Sequence, residues 1–270
     1  MIAGLSVQAK LLVLFACLGA LGALGYLYLG GVALAVELAL GLLAMALLVN
    51  RWRPRVPDYS AQLRDLQALS NLTPALGDLY FPFTGMAMEP STLRDLLAYI
   101  QCQGARQIVE CGAGVSSILI ARVLSQGGEG LLVSIEQHAA WAEKVRLAAA
   151  AEGLTEWLTV VTAPIEYAPE LGQEWYALEP VRTAVQRLGP IDMLIVDGPI
   201  SVDASTRYPA LPVFAGLLRR GAVVVLDDAC RDAEAQVLQR WREAYACDLS
   251  MIYSQRGQAW LTLHDDQRSS

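Results

Sequence analysis

Ile108-Val109-Glu110-Cys111-Gly112-Ala113-Gly114-Val115-Ser116-Ser117 is the stretch whose reading decides the fold. An apolar strand pattern starting at Gln107 runs into two glycines one residue apart, and an apolar helical pattern begins at Ser116. A strand that turns through Gly-x-Gly into a helix presents the free N–H groups of the helix N-terminus to a ligand. Gly112 and Gly114 permit the tight turn and the close approach, having no Cβ. A dinucleotide fingerprint asks for a third small residue three positions on, and Ser117 stands there.

Outward from this turn, strand and helix alternate. Strands are predicted at 107–111, 131–136, 157–162, 191–197 and 222–227. Helices are predicted at 91–100, 116–124, 139–151, 171–188, 211–218 and 233–245, with Ser91 as the N-cap of the first. Positions 248–254 and 258–264 close the chain as a hairpin around Arg256-Gly257. This pattern requires crossover connections, so the fold class is α/β: a Rossmann-like, doubly wound, mostly parallel seven-stranded sheet whose last strand is antiparallel. Upstream, 59–70 has helical spacing. Positions 71–90 read as an ordered loop containing Tyr80-Phe81-Pro82-Phe83, with Met86 and Met88 either lining a lid over a ligand or packed in the core.

Three acids stand at strand ends: Glu110, Glu136 and Asp197. Ligands of open α/β sheets bind beyond the carboxyl ends of the strands. There Glu110 is placed to accept from an ammonium group, and Glu136 to take both hydroxyls of a ribose. NAD dehydrogenases also put an acid after the second strand. An NAD-dependent oxidoreductase therefore stays open, as does a non-catalytic membrane scaffold with a retained nucleotide-binding fold.

Glu-x-Gly-x-Gly followed by a second-strand acid resembles the class I S-adenosylmethionine-dependent methyltransferases, over about 86–264. The resemblance implies S-adenosylmethionine as cofactor, with Glu110 on its amino group, Gly112 and Gly114 beneath it, Glu136 on its ribose, and Ser116, Ser117 and Asp197 as further cofactor-binding residues. Asp192-Met193-Leu194-Ile195-Val196-Asp197, Arg207-Tyr208 and the run from Leu217 to Asp228 are similar to the catechol O-methyltransferase group. That likeness implies Mg²⁺ held by Asp197, Asp227 and Asp228, hard oxygen ligands of the kind Mg²⁺ prefers. The catechol enzymes carry a lysine soon after the first aspartate. Here 198–206 has none, and Asp203 and Arg207 stand beside Asp197 as the catalytic candidates. Val196-Asp197-Gly198-Pro199 and Arg207-Tyr208-Pro209-Ala210 also resemble a bacterial methyltransferase group. His138 reads as a surface residue at a helix start and His264 as inert, so no Ser-His-Asp arrangement arises.

The N-terminus has a different character. From Leu11 to Val49 the only formal charge is Glu37. As one helix this stretch would be ~58 Å long at ~1.5 Å per residue, about twice a ~30 Å hydrocarbon core. A hairpin of two spans, 11–29 and 32–49, turning at Gly30-Gly31, is predicted. Lys10 before it and Arg51, Arg53 and Arg55 after it put both ends in the cytoplasm. The expected organisation is a transmembrane hairpin at 1–50, a juxtamembrane linker and cofactor-covering segment at 51–90, and the catalytic domain at 91–270. The expected location is the inner (cytoplasmic) membrane, with a lipid-, isoprenoid- or glycan-linked acceptor. Glu37 within a span either marks a contact between helices or between copies of the chain, or snorkels to the interface or is protonated.

The net charge of −7, without a basic stripe, disfavours nucleic acid as a partner. Five cysteines, an odd count with no CxxC spacing, point to reduced, mostly buried thiols rather than a disulfide framework or zinc site.

Overall fold

A computed structural model describes residues 36, 38–45, 59–76, 85–200, 203–252, 254 and 256–264. The chain divides into two units, Met1–Pro57 and Asp58–Ser270. In the first, positions 36 and 38–45 are helical. The predicted span 11–29, Glu37, Cys17, the linker at 51–58 and the aromatic run at 80–83 lie outside the described residues. Among the described residues, no helix is long and apolar enough to cross a membrane.

The second unit is built on seven strands: β1 (Gln107–Cys111), β2 (Leu131–Glu136), β3 (Leu158–Thr162), β6 (Ile191–Val196), β7 (Leu218–Asp227), β8 (Cys247–Ile252) and β9 (Gln258–Leu263). Their order is β3-β2-β1-β6-β7-β9-β8. The first five are parallel, and β9 runs antiparallel to both β7 and β8. The order reverses between β1 and β6, where a ligand crevice opens beyond the strand ends. At the opposite end of this pair, Asp192 Oδ2 accepts from the amides of Arg106 and Gln107 at 2.6 and 2.7 Å, tying the start of β1 to β6.

Alternation within the strands feeds two cores. Val109, Cys111, Leu194, Val196, Val224 and Leu226 pack on one face with Trp175, Phe214 and Trp241. Ile108, Met193, Ile195, Val223 and Val225 face the other, against Leu93, Leu96 and Ile118. That second layer comes from α2 (Pro90–Gln103), α3 (Val115–Gly127) and α4 (Ala139–Ala151), with α1 (Tyr59–Leu76) packed on α2. In α2 the buried residues Leu93, Leu96, Leu97 and Ile100 follow helical spacing. Gly104, at φ 72°, ends the helix by donating its N–H to Ile100 O at 3.1 Å.

Several boundaries depart from expectation. The predicted helix at 171–188 is instead β5 (Gln173–Tyr176), paired with β4 (Ile165–Ala168), followed by α5 (Leu178–Val185). Gly172, at φ 65°, turns the chain between the two strands, and burial of Trp175 and Tyr176 overrides local helical spacing. Pro180 falls in the first turn of α5, where a missing N–H breaks no helical bond. Ser91 is not an N-cap: it lies inside α2 and its amide donates to Asp65 Oδ1 at 3.1 Å. Helix α1 runs to Leu76, into the predicted loop. The predicted helix at 211–218 is shortened to α6 (Ala210–Phe214) and a 3₁₀ turn, and β7 starts at Leu218. Cys102 and Cys230 are exposed, against the expectation of mostly buried thiols, while Cys111 is buried and all four described cysteines are free.

Leu194 is wholly buried at the centre of the sheet. Leu194→Ala is expected to lower unfolding stability by about 2–5 kcal/mol, read as a shift of the urea midpoint with an unchanged slope.

Candidate active site

The crevice between β1 and β6 begins with backbone contact. Gly112 has φ +97°, and a Cβ there would meet Asp197 O at 2.8 Å. A Cβ on Gly198 would stand 2.9 Å from Gly112 N and would clash with the Tyr176 hydroxyl. Asp197 N donates to Cys111 O at 2.9 Å, and Gly112 N to Ile135 O at 2.8 Å. The ends of β1, β2 and β6 are thus locked together. Above them lies a cavity of about 300 Å³, whose wall includes Met86, Gly114, Glu136, Trp141, Tyr176 and Asp197. A Cβ on Gly114 would meet no protein atom within 4 Å. The turn therefore leaves space open on its cavity side, as a cofactor lying over it needs.

Glu136 lines the cavity at the end of β2. Its Oε1 accepts from the amide of His138 at 2.8 Å. Burial raises its carboxyl above the usual range, opposed by hydrogen bonds from backbone amides, that of His138 first. His138 is exposed and borders the cavity as the residue before α4. Trp141, in the first turn of α4, donates Nε1–H to Ala113 O at 2.7 Å and braces the glycine turn. Met86 is exposed on the cavity wall, while Met88, on the same wall, is buried in the core.

Glu110 stands differently from its expected place. It is fully buried and is not part of the cavity wall. Its carboxylate accepts from Ser116 and Ser117 at 2.5 Å and from Ser134 at 2.7 Å. Ser117 Oγ also accepts from Gly114 N at 3.0 Å. Glu110, Ser116 and Ser117 thus form a clamp that shapes the Gly-x-Gly turn, and of the three only Ser116 reaches the cavity. Burial pushes the Glu110 carboxyl up, and the three serine donors oppose this.

Beside the cavity are the predicted metal ligands. Asp197, Asp227 and Asp228 offer carboxylate oxygens all within 4.8 Å of one another. Asp197 is on the cavity wall, and Asp227 and Asp228 are almost wholly buried. Asp228 has φ 60°, a conformation aspartate tolerates better than most residues. Its Oδ1 is buried without a hydrogen bond, with Arg256 Nε 3.6 Å away. Its Oδ2 meets Arg231 Nη1 at 2.9 Å. Gln258 Nε2 donates to Asp227 Oδ1 at 3.2 Å. Convergent hard oxygens and an orphaned carboxylate oxygen fit a small divalent cation.

The two remaining catalytic candidates separate. Arg207 is buried among the acids, with Nη2 3.5 Å from both Asp197 Oδ1 and Asp228 Oδ2. Asp203 is exposed, and its carboxylate caps its own turn by accepting from the amides and hydroxyls of Ser205 and Thr206. Those hydrogen bonds hold its carboxyl below the usual range, which suits a turn cap better than a proton acceptor. Trp141, Tyr176, Glu234 and Gln258 were not singled out from sequence. For Trp141 alone a signal existed, its place one turn after the second-strand acid.

Residues 109–229 match a family described as a methyltransferase domain. Comparison with the curated proteins finds no match. Among solved structures the chain is similar to the O-methyltransferase TomG from Streptomyces achromogenes bound to S-adenosylmethionine. Identity is 23%, coverage 73% of this chain and 89% of that one, and the TM-score 0.51. It is similar to an O-methyltransferase from Bacillus cereus in complex with S-adenosylhomocysteine, with 22% identity, 82% and 97% coverage, and TM-score 0.51. The S-adenosylhomocysteine-bound methyltransferase PaMTH1 from Podospora anserina matches at 13% identity, 78% and 89% coverage, and TM-score 0.54. These likenesses establish the fold.

Gly112→Ala is expected to lose both thermal stability and cofactor affinity, because the added methyl drives the β1 turn off Asp197. A melt and a calorimetric titration check this. Burial and the neighbouring Asp228 raise the Asp227 carboxyl to about 7. A carboxyl raised on folding contributes stability that is present below its unfolded value near 3.8 and lost as pH rises through about 7. In chelator, the melting temperature of the protein should fall from pH 5 to pH 7, and Asp227→Asn should make that fall shallower.

Proposed function

From the match of residues 109–229 to a methyltransferase domain, we propose an S-adenosylmethionine-dependent enzyme that methylates an oxygen atom of a small acceptor. The observation that carries this reading is one cavity, walled by Gly114 and Glu136 on one side and Asp197 on the other. Glu136 takes the ribose hydroxyls of the cofactor, and the turn from Gly112 to Ser116, braced by Glu110 and Trp141, carries its methionine end. S-adenosylmethionine held there would supply the methyl group to an acceptor hydroxyl beside the acid cluster: the oxygen–carbon bond would form as the sulfur–carbon bond breaks, with S-adenosylhomocysteine leaving and the hydroxyl proton released to solvent. Sulfur already activates the methyl group, so the protein's contribution is mainly alignment.

Asp197, Asp227 and Asp228 are the residues that would hold Mg²⁺. A bound divalent ion makes a coordinated hydroxyl easier to deprotonate. The similar O-methyltransferases from Streptomyces achromogenes and Bacillus cereus support oxygen as the methyl acceptor.

The N-terminal segment is read as a membrane tether, with both ends and the catalytic domain in the cytoplasm. Supporting it are the nearly charge-free run from Leu11 to Val49 and the exposure of Val36, Leu38, Leu40, Leu42, Leu43 and Met45 in the described helix. Apolar side chains on every face of a helix suit lipid surroundings. Exposed Met86 and Ile200 on the cavity wall suit an acceptor with an apolar portion, such as a lipid- or isoprenoid-linked molecule.

Calorimetric titration of the full chain in detergent with S-adenosylhomocysteine is expected to show micromolar binding. Glu136→Ala should weaken it tenfold or more, since a hydrogen bond to a charged group contributes about 1.5–3 kcal/mol. Unchanged affinity in that variant would overturn the assignment of the ribose site.

A further inference from the structure

Behind the acid cluster lies a buried ion pair that cofactor binding does not use. Arg207 is 3% exposed and Glu234, in the first turn of α7 (Asp232–Ala244), is 0% exposed. Arg207 Nε donates to Pro199 O at 3.2 Å, Nη1 to Asp227 O at 3.2 Å and Nη2 to Asp197 O at 3.3 Å. The guanidinium therefore joins the loop after β6 to the end of β7 through three main-chain carbonyls. Neither carboxylate oxygen of Glu234 has a hydrogen-bond partner. Its Oε1 stands 3.7 Å from Arg207 Nε. A buried carboxylate without hydrogen bonds is costly, and here the adjacent guanidinium offsets that cost.

The other end of the same guanidinium reaches the acids, with Nη2 3.5 Å from one oxygen of Asp197 and one of Asp228. Arginine keeps its charge at any physiological pH. A permanent positive charge thus stands where it offsets two of the three carboxylates that a divalent ion would share. Repulsion between this charge and an incoming ion is weakly screened in a buried site.

We infer that Arg207, held in place by those three carbonyls, is a resident counter-cation that keeps the three acids converged without metal and lowers their affinity for a divalent ion, and that Glu234 is its buried charge partner. This rests on the reading of Asp197, Asp227 and Asp228 as a metal site. Glu234 also moderates the effect, because its own charge partly neutralises the guanidinium.

The test is Mn²⁺ binding to the full chain in detergent, followed by the loss of the free-ion paramagnetic signal. The double variant Arg207→Gln/Glu234→Gln removes both charges together, so Glu234 is not left as an unpaired buried ion. It is expected to bind Mn²⁺ about tenfold tighter than the parent, or more. Glu234→Gln alone should act in the opposite direction and weaken binding, since the guanidinium is then uncompensated. A thermal melt shows whether each variant is folded, and Glu234→Gln decides the matter should the double variant not fold. If the parent binds Mn²⁺, Asp228→Asn abolishes binding, and the charge variants leave affinity unchanged or move it the other way, the inference fails and the metal reading stands. If neither parent nor folded double variant binds Mn²⁺, the metal reading fails and takes the inference with it.

Discussion

Gly112 and Gly198 bring the ends of β1 and β6 together backbone to backbone, and the active site depends on that contact. No side chain fits between them: a Cβ on either glycine would come within 3 Å of main-chain atoms of the other segment. This proximity sets Asp197 beside the glycine turn and puts Tyr176 against Gly198. It occurs at the point where strand order reverses, so helices leave the sheet in opposite directions and a crevice remains between them. Asp192, binding the amides at the start of β1, secures the same strand pair at its other end.

From that contact follow two layers of buried polar structure. Beneath the glycine turn, Glu110 gathers Ser116, Ser117 and Ser134, and Ser117 in turn accepts from the Gly114 amide. The turn is held by side chains under it rather than by packing above it, which leaves its upper side for a ligand. A carboxyl group can stand fully buried there because three hydroxyl groups surround it.

Beside the turn, the charge pattern is denser. Asp197, Asp227, Asp228 and Glu234 lie close to Arg207, while Arg231 and Arg256 approach Asp228 from its other sides. The segment before α2 joins this network through Glu89, which accepts from Ser254 and from the Arg256 amide, and Arg256 donates to Ala87 O. Met86 and Met88, on the cavity wall, are thereby tied to the turn between β8 and β9. That coupling links residues more than 160 positions apart in the chain.

The amino-acid sequence by itself determined the α/β alternation, the strands at Gln107–Cys111 and Leu131–Glu136, the terminal antiparallel hairpin and the strand-end acids. These features are local: apolar periodicity, glycine pairs and residues at the ends of runs. Burial of Trp175 and Tyr176 decided between helix and strand at 173–176, because their partners lie in distant segments. Local sequence likewise could not show that Glu110 turns to three serines, that Asp203 caps its own turn, or that Glu234 backs Arg207. Only the tertiary structure decided those pairings, because a buried polar group takes its partner from whatever the packed chain brings within hydrogen-bonding or ion-pairing reach.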